Sequence, residues 1–229
     1  MALKQETTQI PIVMLATPDP VRLGLITNIP RPDGNVTGVA WLGFDILPKR
    51  IELLKEIVPH LKRLAVITSV YVDSKIIELI EEYLAVAART LGFEWRHFRP
   101  TVANEYEGIF ARIAEEQFDA AYIQADQLSI QIPNATRIIQ LTLRYRIPAI
   151  QENSWWTRQG LLMSYGQDYY RDIARASEYV VKLLRGAMPN ELPIEQTTEL
   201  NLVINLKTAK TLGLTVPASL IVRAHEVIE

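Results

Sequence analysis

The middle of the chain alternates between strand-like and helix-like segments, and this alternation limits the possible folds more than any other feature. Short apolar runs typical of buried strands are separated by segments with the apolar spacing of amphipathic helices. The predicted strands are residues 63–68, 93–98, 120–124 and 148–151. The predicted helices are residues 74–91, 105–116 and 134–145. Because such alternation forms a parallel sheet with right-handed crossovers, residues 45–153 are predicted to hold a complete small α/β domain.

The segments on either side of this domain supply fewer elements. Strands are predicted at residues 10–16 and 36–41, with a short helix near Val21. A strand at residues 161–163 is predicted to break at Ser164-Tyr165-Gly166 before a helix with one apolar face. That face consists of Ile173, Ala176, Val180, Val181 and Leu184. The other predicted elements are a helix at 49–58, a strand at 199–204, a helix at 206–212 and a strand at 219–223. A typical sheet has about five or six strands, so we expect the outer domain to lack its first strands.

Composition excludes several classes of protein. The formal net charge of -2 argues against a nucleic-acid binder. The chain has no cysteine, which excludes a thiol nucleophile, a thiolate metal site and a disulfide framework. No apolar run approaches the roughly 18 residues of a membrane span. The first nine residues lack the apolar core of a signal peptide, so the chain as written is expected to stay in the compartment where it is made.

Enzyme signatures are missing from the sequence. His60, His97 and His225 are isolated from one another, and no metal-binding His-Glu-x-x-His pattern occurs. Neither a phosphate-binding glycine loop nor a Gly-x-Ser-x-Gly nucleophile turn is present. Asp126 and Glu152 remain an alternative acid/base pair, because a sequence does not give their separation. We therefore expect no enzyme, no metal and no cofactor.

Five segments together resemble a known family. They are IPIVMLATPDPV (10–21), GNVTGV (34–39), KRIELLKEIVP (49–59), LMSYG (162–166) and LVINLKTAK (202–210). None is specific alone, but their order and spacing over nearly the whole chain resemble the ABC transporter substrate-binding proteins of the tryptophan/tyrosine-binding type. The resemblance implies a periplasmic-binding-protein type I fold, with two parallel-sheet lobes joined by hinge crossings. It also implies a small solute, such as an aromatic amino acid, bound in the cleft between the lobes.

The resemblance assigns parts of the chain to each lobe. Residues 1–41 and 161–194 are expected to form lobe I, and residues 42–160 and 195–229 to form lobe II. Intact family members begin with a secretion signal and a βαβαβ unit that have no counterpart here. We therefore expect lobe I to be incomplete, through truncation or because a second copy completes it as a homodimer. The implied partner is an ABC permease and the implied location is the periplasm, or the cytoplasm if the chain is the full natural product.

The predicted ligand contacts lie in loops at the carboxyl ends of strands, where open α/β sheets bind ligands. The candidate residues are Thr17, Asp19, Ser69, Asp126, Glu152, Asn153, Trp155 and Tyr165. An amino-acid zwitterion needs an acidic acceptor for its ammonium group, and Asp126 and Glu152 are the candidates. The alternative is that both side chains only cap turns or helices. A loop around Gly43 is a further candidate.

Aromatic side chains near the same strand ends supply a possible pocket wall. Trp155, Trp156 and Tyr165 are the candidates, but adjacent tryptophans cannot both face a ligand, so one is expected in the core. Asp168 is expected first of all to cap the helix that follows it. A functional alternative is a cytoplasmic ligand sensor or oligomeric scaffold with the same fold, which the missing signal segment favours.

Overall fold

The computed structural model describes residues 2–41 and 44–229. Its strands are β1 (Ile12–Pro18), β2 (Val36–Trp41), β3 (Arg63–Ile67), β4 (Glu94–Phe98), β5 (Ala120–Ile123), β6 (Ala149–Gln151), β7 (Met163–Gly166), β8 (Glu195–Gln196), β9 (Asn201–Asn205) and β10 (Glu226–Ile228). Its helices are α1 (Ala2–Glu6), α2 (Leu47–Ile57), α3 (Ser74–Leu91), α4 (Glu105–Glu115), α5 (Ile132–Arg144), α6 (Ser154–Arg158), α7 (Tyr169–Leu184), α8 (Leu206–Leu212) and α9 (Ala218–Arg223). Gly43, in one predicted loop, lies outside the described residues.

The chain divides into two compact units, each built from two stretches of sequence. The first unit takes Met1–Ile46 and Gln167–Glu199, and the second takes Leu47–Gly166 and Leu200–Glu229. Within the described residues, no helix is both long enough and apolar enough to cross a bilayer.

The second unit is built on a seven-stranded sheet with the order β10-β9-β7-β6-β5-β3-β4. Neighbouring strands run parallel except for β7 and β9, which are antiparallel. All four residues of β5 are buried, as expected for a strand covered on both faces by helices. The predicted alternation is confirmed for β3 to β6, and α3 ends at Gly92, which adopts the left-handed conformation.

The first unit holds a three-stranded parallel sheet with the order β1-β2-β8. Val39 of β2 packs with Ala176 and Tyr179 of α7, and a second cluster around Met14 fills another part of this unit. Gly38 lies so close to the Met14 backbone that a Cβ atom would overlap it, and its φ of +124° suits glycine alone.

Three lobe boundaries differ from the prediction. The first unit extends to Ile46, so residues 44–46 belong to it rather than to lobe II. The strand expected at residues 161–163 is β7, which pairs with β6 and β9 and therefore belongs to the second unit. Its residues Ser164, Tyr165 and Gly166 form the strand rather than the predicted break, because two neighbouring strands satisfy their backbone groups. β8 pairs with β2, so residues 195–199 belong to the first unit rather than to lobe II.

Three local predictions are also wrong. Residues 219–223 lie in α9, after Pro217, because a short apolar run does not distinguish a helix from a strand. The segment near Val21 forms turns instead of a helix, and Gly24 ends them at a φ of +73°. The predicted apolar face of α7 is largely exposed. Only Ala176 of that set is buried, while Asp172 and Tyr179 complete the buried positions.

Candidate functional site

Parallel strands β3, β5, β6 and β7 of the second unit end at one edge of their sheet, where the predicted ligand residues follow them. We call this the carboxyl edge, and it consists of Thr68, Ser69, Gln124, Ala125, Asp126, Gln151, Glu152, Asn153, Ser164 and Tyr165. The sheet therefore places five of the eight predicted residues at this edge, and a sixth, Trp155, lies in the same unit.

Asp126 organises the loop after β5. Its Oδ2 accepts the Ser69 N–H at 2.7 Å, and its Oδ1 accepts the N–H groups of Leu128 and Ser129, both at 2.9 Å. Asp126 is only 8% exposed. A carboxylate has about four acceptor positions, so these three bonds leave about one for a ligand.

Glu152 is buried more deeply at the end of β6. Its Oε1 accepts the Ala125 N–H at 3.0 Å and the Gln124 Nε2 at 3.2 Å. The Tyr122 hydroxyl donates to Gln124 Oε1 and lies 3.5 Å from Glu152 Oε2. Burial raises the pKa of the Glu152 carboxyl, although the Arg50 charge and the bond from Ala125 oppose this. Burial likewise raises the pKa of Tyr122 well above its usual value.

Arg50 supplies a buried positive charge beneath the carboxyl edge. It lies on α2, is 2% exposed, and donates from Nε to the Tyr165 carbonyl at 2.7 Å. Gly166 packs against the Glu152 backbone so closely that no Cβ would fit. The ends of β6 and β7 are therefore held together, with Tyr165 half-buried beside them.

Asn153 and the two tryptophans have separate roles. The Asn153 side chain caps α6 by accepting the Trp155 N–H at 2.8 Å. Trp156 is 2% exposed in the core, whereas Trp155 is half-buried, and the two rings meet edge to face at 6.3 Å. The expected division between one core tryptophan and one more accessible tryptophan is therefore present.

Thr17 and Asp19 lie in the first unit. Thr17 is half-buried within β1, and Asp19 follows that strand with a φ of +36°. The Asp19 carboxylate accepts the Arg22 N–H at 3.1 Å and so stabilises the turn after the strand. Ligand contact by these two residues stays a prediction.

Several residues at the carboxyl edge were missed by sequence reasoning. Arg50 stands at the same helical spacing as the apolar residues of α2, being four positions before Leu54, and this was the available signal. Nothing comparable marked Tyr122 or Gln124, since Tyr122 lies within the apolar strand β5 and Gln124 directly follows it. Four polar side-chain atoms at this edge are buried without a hydrogen-bond partner in the described structure. They are Thr68 Oγ1, Ser69 Oγ, Gln151 Nε2 and Ser164 Oγ.

The site holds hydrogen-bonding groups but no arrangement for metal binding. Within residues 2–41 and 44–229, no group of three or more His, Cys, Asp or Glu side chains could hold a metal ion. The edge combines two carboxylates, one guanidinium, hydroxyl groups and the half-buried ring of Tyr165. These groups suit reversible binding of a small polar molecule with an apolar part.

The chain is similar to several known proteins. The family model described as ABC transporter substrate binding protein matches residues 1–228. A curated relative, the tyrosine-binding protein of Clostridioides difficile (strain R20291), is 27% identical over 212 residues, which are 91% of this chain and 58% of the relative. The chain thus spans little more than half the length of that relative.

Two solved structures match almost the whole chain. The ABC domain of Streptococcus pneumoniae in complex with L-Trp has a TM-score of 0.85 at 25% identity, over 99% of this chain and 74% of that one. A conserved domain protein from Vibrio cholerae has a TM-score of 0.86 at 27% identity, with the same two coverages.

Proposed function

The chain belongs to the ABC transporter substrate-binding protein family, and within that family we propose that it binds an aromatic amino acid at the carboxyl edge of its second unit. The fold is the α/β fold of type I periplasmic binding proteins. This is a family of solute-binding proteins, so the chain is not an enzyme, in agreement with the sequence prediction.

One observation carries the choice of ligand. The L-Trp-bound neighbour matches 99% of this chain with a TM-score of 0.85, and the curated relative is a tyrosine-binding protein. Both names specify an aromatic amino acid. The chain spans only part of each protein, so the identity of its own ligand is an inference from that likeness.

The geometry of the carboxyl edge suggests different roles for its two acidic residues. Asp126 keeps about one free acceptor position and is slightly exposed, which suits the ammonium group of an amino acid. Glu152 is buried and bonded to Ala125 and Gln124, which suits a role in holding the loop. We assign the aromatic contact to Tyr165 and Trp155, and polar contacts to Ser69 and Asn153.

A thermal-shift screen followed by calorimetry tests this proposal. We expect L-tryptophan, L-tyrosine or L-phenylalanine to raise the melting temperature, with L-leucine as the aliphatic comparison. Tyr165→Ala should weaken binding roughly five- to thirteenfold, because the loss of one aromatic contact is worth about 1–1.5 kcal/mol. Tyr83→Ala is the matched control, since Tyr83 is half-buried on α3 away from the carboxyl edge.

Two outcomes would contradict the proposal. A folded sample whose melting temperature responds to no amino acid would refute the ligand class. Equal weakening of binding in the Tyr165 and Tyr83 variants would refute the location of the site.

The transport role is the other part of the proposal. We infer that the chain delivers its solute to an ABC permease outside the cytoplasmic membrane, as members of such a family serve importers. Co-purification with an ABC permease, and fractionation of the native gene product, test these two points. Homodimer formation by this chain stays a prediction.

A further inference from the structure

Arg50 joins two distant segments of the second unit. It lies buried in the first turn of α2, a helix that packs against β6 and β7. Its Nε donates to the Tyr165 carbonyl at 2.7 Å, and the two residues are 115 positions apart in sequence. The chain first enters the second unit at Leu47 and first leaves it after Gly166. Arg50 therefore ties the beginning of this long segment to its end.

The bond from Arg50 fixes the backbone from which the Tyr165 ring projects. A hydrogen bond from a charged donor is stronger than one between neutral groups. On the other side, Gly166 packs against the Glu152 backbone without room for a Cβ atom. β9 also pairs with this end of β7, where Tyr165 lies opposite Leu202. The carboxyl end of β7 is thus held by three separate contacts, and Arg50 supplies the one that carries charge.

Arg50 also balances the buried charge of Glu152, which is 2% exposed. Burial raises the pKa of the Glu152 carboxyl, the Arg50 charge lowers it, and the Asp126 charge raises it. Burial raises the pKa of Tyr122 as well, and the Arg50 charge again opposes this. A buried carboxylate that loses its counter-charge is strongly unfavourable. Loss of Arg50 would therefore disturb the loop that Glu152 holds through the Ala125 N–H.

We propose, on the basis of the proposed function, that Arg50 is a positioning residue for the ligand. It holds the Tyr165 backbone and the Glu152 carboxylate in one arrangement before the ligand arrives. Arg50 does not touch the ligand itself, because it lies beneath the carboxyl edge and is 2% exposed. Such preorganisation increases affinity because the contact residues lose little further freedom on binding.

Calorimetry with L-tryptophan at pH 8 tests this proposal with three single variants. Arg50→Met keeps a long side chain but removes the charge and the Nε donor, so we expect about tenfold weaker binding. Arg50→Lys keeps the charge without the planar guanidinium and should give an intermediate affinity. Lys49→Met is the matched control on the same helix, since Lys49 is exposed and pairs with Glu52. We expect it to leave the affinity unchanged.

A double variant separates positioning from simple loss of packing around Arg50. In Arg50→Met the Glu152 carboxylate has lost its counter-charge, so protonation at low pH relieves the strain. The loss of affinity should therefore be larger at pH 8 than at pH 5.5. Addition of Glu152→Gln removes the titrating group, so it should abolish this pH dependence and restore about threefold in affinity at pH 8. Tyr122 and Asp126 are present in every variant and cannot account for the difference.

Hydrogen exchange of the ligand-free chain supplies a readout that does not depend on the ligand. Backbone N–H groups of β7 should exchange faster in Arg50→Met than in the parent chain, and at the parent rate in Lys49→Met. If the parent chain binds none of the three aromatic amino acids, the proposed function fails, and this exchange alone decides whether Arg50 fixes β7.

Three results would overturn the proposal. They are an unchanged exchange rate of β7 in Arg50→Met, an L-tryptophan affinity equal to that of Lys49→Met, and a loss of affinity that Glu152→Gln does not relieve. If Arg50→Met does not fold, Arg50→Lys decides the matter. Weaker binding by Arg50→Lys at an unchanged melting temperature would support the proposal, and unchanged affinity and exchange would refute it.

Discussion

Replacement of Asp126 by alanine is the most direct test of how the carboxyl edge is held. The substitution removes three buried hydrogen bonds, from the N–H groups of Ser69, Leu128 and Ser129. A hydrogen bond to a charged group contributes about 1.5–3 kcal/mol, and the donors lose their only acceptor in a buried place. These contributions are not additive within one cluster. We therefore expect a loss of roughly 3–6 kcal/mol in the free energy of unfolding.

Two further variants make the prediction specific. Asp126→Asn keeps one oxygen for Leu128 and Ser129 but places an amide N–H₂ against the Ser69 N–H, so we expect a loss of about 2–3 kcal/mol. Asp73→Ala removes a single exposed bond at the start of α3, to the Lys75 N–H, and should cost about 1 kcal/mol. The expected order of destabilisation is Asp126→Ala, then Asp126→Asn, then Asp73→Ala.

Urea unfolding followed by tryptophan fluorescence measures these losses. Three of the four tryptophans, Trp95, Trp155 and Trp156, lie in the second unit with Asp126, so the signal reports mainly on that unit. If Asp126→Ala were no more destabilising than Asp73→Ala, the carboxylate would not hold the loop. Its oxygens would then be available to a ligand to a greater extent than the structure indicates.

Four other substitutions have defined outcomes. The folded-state pKa of Glu152 is raised, so the folded protein binds the proton more tightly and stability falls as the pH rises above 4.5. The Glu152→Gln variant has no titrating group at this position, so its free energy of unfolding relative to that of the parent should increase between pH 4.5 and 8. Urea unfolding measures this difference, and a difference that stays constant with pH would contradict the prediction. Gly38→Ala should lower the free energy of unfolding by about 2–4 kcal/mol through backbone strain and overlap with Met14. Gly24→Ala, with open space around it, should lower it by only about 1 kcal/mol, and thermal unfolding measures both losses. Phe110→Ala should cost about 3–5 kcal/mol in the same assay, because the ring is fully buried in the core of the second unit, and a loss below 1 kcal/mol would exclude that packing.

The sequence predicted the central α/β alternation because each of those elements carries its own period and its own end signals. Gly92, for example, ends α3 in a conformation that glycine adopts easily. β7 was mispredicted because its strand conformation depends on pairing with β9, more than thirty residues later. Nothing within Ser164, Tyr165 and Gly166 records that distant partner.

The candidate site was predictable in position but not in detail. Strand ends indicated Ser69, Asp126 and Glu152, since parallel strands gather their carboxyl ends at one edge. The bonds that occupy these carboxylates depend on backbone N–H groups and on Arg50, which arrives from α2. Similarly, the apolar spacing of α7 was correctly recognised, but spacing alone does not show which apolar residues meet a sheet. Tyr179 is buried and Leu184 is exposed for that reason.

The interleaved division of the chain has a consequence for the order of folding. The second unit forms most of its sheet from neighbouring segments, whereas the first unit joins segments far apart in sequence. The Thr37 hydroxyl, for example, donates to the Leu192 carbonyl across 155 residues. Closing so long a loop is slow for a disordered chain, but it becomes a short-range event once the intervening unit has folded and fixed both ends. We therefore expect the sheet of the first unit to be protected from hydrogen exchange last during refolding, and a ribosome-bound chain to complete it only after residues 195–196 have emerged.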